Sequence, residues 1–446
     1  MSTSRVPSDL AKAVQAELKS RKSFRPPQKV LIKLFESMYF ASLRTEESQP
    51  IVFHIVYLNP KRPDPKPPER ASRDRWTYIP FSKSVPVTIS SLVKLAKATD
   101  PRTSSFAVYH DSHSNLIVWG LVDQGNRYYE FMNFESDHAY MRPGIFQASI
   151  AGIGHLVAYV ESEKIAELKV DSIVHHASDV LRGGPVHNTL DLGIQTYIKG
   201  VKEKLPEYIL KLPFNWDLEH YWTASLCRLL LRVQNCRHGG AILITPDISL
   251  QGLNIKYQIE YDRLRSALEA HALLQIQNSY TSDIIFGEFV EQFADEIPVE
   301  LYLDEAVFSG DLDNSRSELD GTIWFISLLS RVDGLVLMTP TLEIKGFGVE
   351  ITVRDEPESV YLASNRNATE SSLREIDYTH YGTRHRSMMR YCSKFPGSIG
   401  FVISQDGDVR VIMKVRETLV MWENIRLQLH DFARRPTQHK RHEPNA

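Results

Sequence analysis

Cysteine is scarce, with three residues (Cys227, Cys236 and Cys392) in 446. They form neither a metal-ligand spacing nor a disulfide framework, which fits a reducing compartment. Cys227 and Cys392 lie among apolar or aromatic residues and read as buried thiols. No run approaches the ~18 apolar residues of a membrane-spanning helix. The first residues (MSTSRVPSDLAKAVQAELKSRKSF) lack the apolar centre of a signal peptide. The expectation is a cytoplasmic protein with no membrane segment. Net charge is also small, because 52 Lys+Arg against 55 Asp+Glu leaves −3. Such a balance does not point to wrapping of a nucleic-acid backbone, which requires a broad positive field. The one basic cluster, Arg434 to Arg441 (RRPTQHKR), reads as a solvated tail. No P-loop, GxGxxG or zinc spacing occurs in the first 300 residues.

What is present is an ordinary globular mixture, 42% hydrophobic and 24% charged, long enough for two or three domains. Apolar periodicity predicts helix over 6–45, with Leu10, Val14, Leu18, Val30, Leu31, Leu34 and Phe35 facing inward. A strand follows over 51–58, then an exposed extended loop over 59–70 that holds five prolines. Strands at 104–110 and 115–122 flank the turn DSHS, and a β region covers 155–174. Helices are expected over 189–204 and 216–235, the second stopped by Gly239. A buried strand over 241–246 and a helix over 258–276 come next.

The last third alternates more regularly. A helix beginning at Ser317 to Asp320 runs to the turn Asp333-Gly334, followed by strands at 335–340 and 343–352. A polar excursion covers 355–379, and a helix runs from Gly382 to about Phe395. Strands at 398–404 and 409–414 are joined by the turn Gln405 to Asp408, and an amphipathic helix is expected over 419–432. The alternation predicts an α/β fold with a mixed sheet flanked by helices. GGAILITP (239–246) and VDGLVLMTP (332–340) are alike, as two buried strands can be without a duplication. His110, His113, His175, His176 and His187 have no ligand spacing and read as packing or surface residues. Trp119, Tyr128, Tyr129 and Phe131 suit either a ligand cleft or an ordinary core.

Two segments carry chemistry. Asp333-Gly334-Leu335 sits where a helix hands over to a buried strand, so a carboxylate can point into a cleft beside a glycine. Gly382-Thr383-Arg384-His385-Arg386-Ser387 puts two arginines and a histidine at a helix start. Free backbone N–H groups, the positive end of the helix dipole and forked guanidinium groups converge there, which is the physics of a polyphosphate site.

The order of these segments resembles the diadenylate cyclase (DAC) family, marked by a DGA turn, a GTRHR segment and a Ser-Glu pair after the next strand. The corresponding residues are Asp333-Gly334-Leu335, Gly382 to Arg386, and Ser404-Gln405. The resemblance covers roughly residues 300–430. It implies condensation of two ATP molecules to cyclic di-AMP with release of pyrophosphate, in a homo-oligomer whose DAC domains face each other. It also implies Mg2+ or Mn2+ as cofactor. By that pattern Asp333 binds metal and activates the 3′-hydroxyl, and Gly334 and Leu335 face the adenine. Gly382, Thr383, Arg384 and Arg386 hold phosphates, His385 stands by the metal or triphosphate, and Ser404 contacts phosphate. Leu335 replaces the family's alanine and Gln405 its glutamate, and glutamine carries no charge. Either the site is weakened, or a neighbour such as Asp406 compensates, or the domain binds nucleotide without turnover.

The segments IVWGLVDQG (117–125) and HGGAILITPD (238–247) resemble the DACNV sensor domain found ahead of DAC modules in bacterial signalling and conflict systems. The expected organisation is a sensor region over 1–298, of one or two subdomains, that detects an unknown ligand. A DAC-like domain over 299–432 and a basic tail over 433–446 follow.

Overall fold

The computed structural model describes residues 4–21, 25–62, 77–100, 103–123, 146–160, 163–174, 179–210, 218–236, 238–246, 249–284, 298–405 and 407–427. The expectations for Tyr128, Tyr129, Phe131, His175, His176, Asp406, most of the proline loop and the basic tail lie outside these residues. The fold is α/β. The chain divides into two compact units, Met1–His176 and Ala177–Ala446. The boundary expected at 298/299 therefore falls inside the second unit.

The first unit contains α1 (Pro7–Ser20), α2 (Gln28–Ser42), the small hairpin β1 (Thr45–Glu46) and β2 (Gln49–Pro50), β3 (Phe53–Tyr57), β4 (Thr77–Pro86) and α3 (Ile89–Ala96). It continues with β5 (Ser104–His110), β6 (Leu116–Asp123), β7 (Phe146–Gly152), β8 (His155–Val160), β9 (Glu163–Lys169) and β10 (Ser172–Val174). The single helix expected over 6–45 is two helices, because Pro26 and Pro27 lie between them and proline cannot supply a helical N–H. Eight strands form one sheet in the order β10-β9-β8-β7-β3-β5-β6-β4, with β3 and β5 parallel and the other pairs antiparallel. Leu10, Val14, Leu34 and Phe35 of the helices pack on Phe53, Phe106 and Phe146. Trp119 belongs to a separate buried cluster and donates its Nε1–H to the Leu58 carbonyl at 2.9 Å, as a core aromatic does. His110 bonds the Tyr57 hydroxyl.

The second unit begins with α4 (Pro185–Lys204), α5 (Glu207–Leu210) and α6 (Leu218–Asn235), followed by β11 (Gly240–Ile244) and β12 (Leu253–Tyr261). Then come α7 (Arg263–Ile284), α8 (Val299–Leu329), β13 (Leu335–Met338), β14 (Ile344–Ile351), β15 (Val360–Ala363) and β16 (Leu373–Ile376). It closes with α9 (Thr383–Lys394), β17 (Ile399–Ile403), β18 (Val409–Val415) and β19 (Thr418–Trp422). Nine strands form a mixed sheet ordered β12-β14-β13-β11-β17-β18-β19-β15-β16. Met388, Met389, Tyr391 and Cys392 of α9 cover one face, on Ala241, Leu243, Leu337, Val402 and Ile412. Each fully buried side chain of that size contributes about 1.5–3 kcal/mol. Burial pushes the Cys392 thiol up to about 12 and keeps it inert. On the opposite face, a Cβ at Gly240 would meet Val233 of α6 and Ser330. His187 hydrogen-bonds the Leu181 carbonyl at 3.1 Å, a packing role.

Three expected elements differ. Residues 258–261, expected to begin a helix, are the end of strand β12, because LNIKYQIEY alternates and pairs with β14; the helix starts after Asp262. The excursion at 355–379 holds β15 and β16, which extend the sheet beyond β19. The final helix expected at 419–432 is instead β19 from Thr418 to Trp422, paired with β18 residue by residue.

Candidate functional site

The look-alike segments GGAILITP and VDGLVLMTP become neighbours. β11 and β13 are parallel with Ile242 opposite Val336, so Gly239 and Asp333 both lie just before the paired residues, at the same end of the two strands. β17 runs antiparallel on the other side of β11 with Gly240 opposite Ile403, which brings Ser404 to the same edge. One end of the sheet therefore collects Asp333, Gly334, Gly239, Ser404 and Gln405 from three separate stretches of chain.

Glycine is required at two of these positions. Gly334 has φ +116°, and a Cβ there would lie 2.5 Å from the Gly348 carbonyl carbon, so the Asp333 corner presses on β14. Gly239 has φ +66°, and a Cβ would lie 2.8 Å from Nη1 of Arg384 and 3.4 Å from the Gln405 amide nitrogen. The Arg384 guanidinium thus lies across Gly239, at the edge Asp333 shares. Asp333 is exposed, and its charge acts on Lys256, which is ion-paired to Glu350 at 2.9 Å. Beside this corner, Tyr257 and Phe347 stack with centroids 4.8 Å apart.

α9 opens at Gly382, with Gly382 and Thr383 exposed. Its first turn has no acid and carries Arg384, His385 and Arg386, the reverse of what the helix dipole favours. His385 accepts at Nε2 from Arg410 Nη1 at 3.2 Å. Arg410 is itself held by Glu423 at 3.0 Å and Asp408 at 3.4 Å, and Tyr381 donates to Glu423 at 3.1 Å. Burial, with Arg410 and Arg384, pushes His385 down to about 4, so it is neutral at pH 7. Burial beside Glu423 lifts the Tyr381 hydroxyl to about 12.

The other expected residues are placed differently. Arg386 turns to Glu356, 3.3 Å away, which also binds Arg390. The Leu335 side chain is buried in the cluster under α9 rather than forming an open wall. Ser404 Oγ accepts the Asp408 N–H at 3.0 Å and shapes the β17–β18 turn. Among the described residues no group of three or more His, Cys, Asp or Glu side chains gathers to hold a metal. A Mg2+ ion of the substrate-assisted kind needs only one or two carboxylates plus phosphate oxygens and water, and Asp333 supplies one. Gly239, Arg410 and Glu423 were not singled out from sequence as site residues; the likeness of the two strand segments was the available signal for Gly239. A cavity of about 360 Å3 opens at the opposite ends of β11 and β13, lined by Thr245, Pro246, Met338 and Thr339, and none of the expected site residues lines it.

Comparison with family models matches residues 21–123 to the family described as "Probable sensor domain DACNV". The match lies within the first unit and takes in the 117–123 part of IVWGLVDQG, whereas HGGAILITPD falls outside it. No curated protein matches the chain. No helix among the described residues is long and apolar enough to cross a membrane.

Proposed function

We propose that this chain is a sensor-coupled diadenylate cyclase, in which the DACNV-like region governs a nucleotidyltransferase site at the Asp333 edge of the nine-stranded sheet. The observation that carries the reading is the first turn of α9. Its N–H groups have no side-chain cap and no acid beside them, and the exposed Arg384 adds a positive charge to the positive end of the helix dipole, which a triphosphate offsets. Arg384 extends that anion site across Gly239 to the strand edge bearing Asp333.

In this reading each ATP lays its phosphates on the α9 N-terminus, Thr383 and Arg384, with the Ser404 hydroxyl in reach. Asp333 takes the proton of the 3′-hydroxyl as that oxygen attacks the α-phosphorus of the other nucleotide, and pyrophosphate leaves. Two such attacks close the ring, so two chains must face each other to bring both nucleotides in line. Bound Mg2+ or Mn2+ would supply charge neutralisation at the phosphates, with Asp333 as a ligand. Neutral His385 and Arg386 orient α9, the first through Arg410 and the second through Glu356.

A second reading, nucleotide binding without turnover, is favoured by Gln405, which stands exposed where the resemblance expects glutamate. The deciding experiment incubates the purified chain with ATP and Mg2+ or Mn2+ and identifies products by mass. The cyclase reading predicts cyclic di-AMP, lost in Asp333→Asn with unchanged thermal stability, since Asn suits the turn. ATP binding with no cyclic dinucleotide under any activating condition selects the binding reading; unchanged turnover in Asp333→Asn removes that residue from the chemistry.

A further inference from the structure

A second polar site lies within the second unit, between α6, α7 and α8. Three helix faces enclose a cavity of about 200 Å3, to which α6 contributes Ser225 and Arg228, α7 His271, and α8 Asp313 and Arg316. Arg228 is the unusual member. Its Nε is buried without an acceptor, and among the described residues no ion pair or hydrogen bond holds its guanidinium. Asp320 acts on it only from beyond ion-pair reach, and its own Oδ1 is buried without a donor. An N–H buried with no acceptor is costly, and an anionic oxygen in the cavity satisfies it.

His271 defines what else that occupant carries. Its Nδ1 lies 3.0 Å from Ser315 Oγ, and that hydroxyl already donates to the Leu312 carbonyl at 2.8 Å. The imidazole must therefore donate from Nδ1, which leaves Nε2 as an acceptor. Burial and the neighbouring Arg228 hold His271 at about 4, so the acceptor persists at neutral pH. A cationic fork and a neutral acceptor in one small cavity match an oxyanion that retains a proton. Asp313 is exposed and screened by solvent, and Arg316 adds a second guanidinium to the wall.

We propose that the α6–α7–α8 cavity binds a hydrogen-phosphate group, its oxygens on Arg228 and its P–OH donating to Nε2 of His271. This assignment does not depend on the cyclase reading. It has a consequence for it, because α6 ends four residues before Gly239 and α8 four residues before Asp333. An occupant clasped between these helices bears on both corners of the sheet edge.

The test is thermal unfolding and calorimetric titration of the full chain at pH 7 with inorganic phosphate, sulfate and chloride at equal ionic strength. Phosphate is expected to raise the midpoint. Sulfate, which has no proton to give His271, is expected to bind at least about tenfold more weakly. Arg228→Gln should lose the phosphate response, Arg228→Lys should retain part of it, and Arg384→Ala should keep it, which separates this cavity from the α9 site. The proposal is overturned if phosphate has no effect, if sulfate matches it, if the response survives Arg228→Gln, or if it disappears in Arg384→Ala. If Arg228→Gln does not fold, His271→Phe, which removes the acceptor, must erase the preference for phosphate over sulfate, and a preserved preference overturns the proposal.

Discussion

Gly239 shows how much can depend on a missing side chain. Replacing it with alanine forces a left-handed conformation on a residue with a Cβ, at a cost of about 1–2 kcal/mol. The new methyl also meets the Ile403 carbonyl oxygen at 3.1 Å, a backbone atom that yields little, and displaces the Arg384 guanidinium. Gly239→Ala is therefore expected to lower the unfolding midpoint by several degrees and to weaken ATP binding. An alanine variant that binds ATP as the parent does contradicts the placement of Arg384 in the site. At this scale the sequence was informative for residues whose role follows from local chain: Asp333-Gly334 is a turn, and Gly382 opens a helix. It said less of Gly239, a helix stop that also opens a strand segment like the one at Asp333, and nothing of Arg410 and Glu423. Their roles depend on strands that pair across the sheet, and no local pattern encodes such a pairing.

Elements were legible where one period dominated. α4, α6, α9 and most central strands are where apolar spacing puts them. The failures have physical causes. Residues 253–261 alternate over only nine positions and 418–422 are a five-residue apolar run, both beside residues that also suit a helix, so short-range pattern could not decide. Pairing with β14 and β18 decided it. Close helix packing offers a sharper test. Gly193 in α4 has the Pro340 carbonyl oxygen 1.8 Å from where a Cβ would stand. Alanine favours a helix over glycine by about 1 kcal/mol, but overpacking against backbone costs about 1–3 kcal/mol or more. Gly193→Ala is thus expected to be net destabilising, read as a lower denaturant midpoint with unchanged slope. A stabilised variant would mean that α4 does not sit on the Thr339–Pro340 turn.

The two units of the molecule should answer acid differently. In the second, His271 and His385 are held at about 4 against an ordinary 6.5, so between those values the unfolded chain binds more protons than the folded one. Stability of that unit is expected to fall as pH drops from about 6.5 toward 4. In the first unit, burial of Glu167 alone would raise its pKa, but Lys164 at 3.0 Å and His155 outweigh burial and hold it far below the usual carboxylate range. Its contribution is complete above about 4.5 and is lost only at lower pH. Unfolding scans from pH 7 to 4 should show the second unit's transition moving first, and His271→Gln should flatten that movement. A first unit that loosens at pH 6 would refute the assignment. The division itself was not read from sequence, because the 240–261 strands give no local sign that they belong with strands near 335 and 400.

The place of β11 in the nine-stranded sheet has a further consequence, for how the chain reaches its native state. Its partner β13 is made roughly 90 residues later and β17 roughly 160 residues later. Until both have left the ribosome, GAILI is a bare apolar strand with two open hydrogen-bonding edges, covered at best by α6. Assembly of the central sheet must wait until β17 has been translated. Truncation before β17 should leave a sticky intermediate in place of a smaller folded protein.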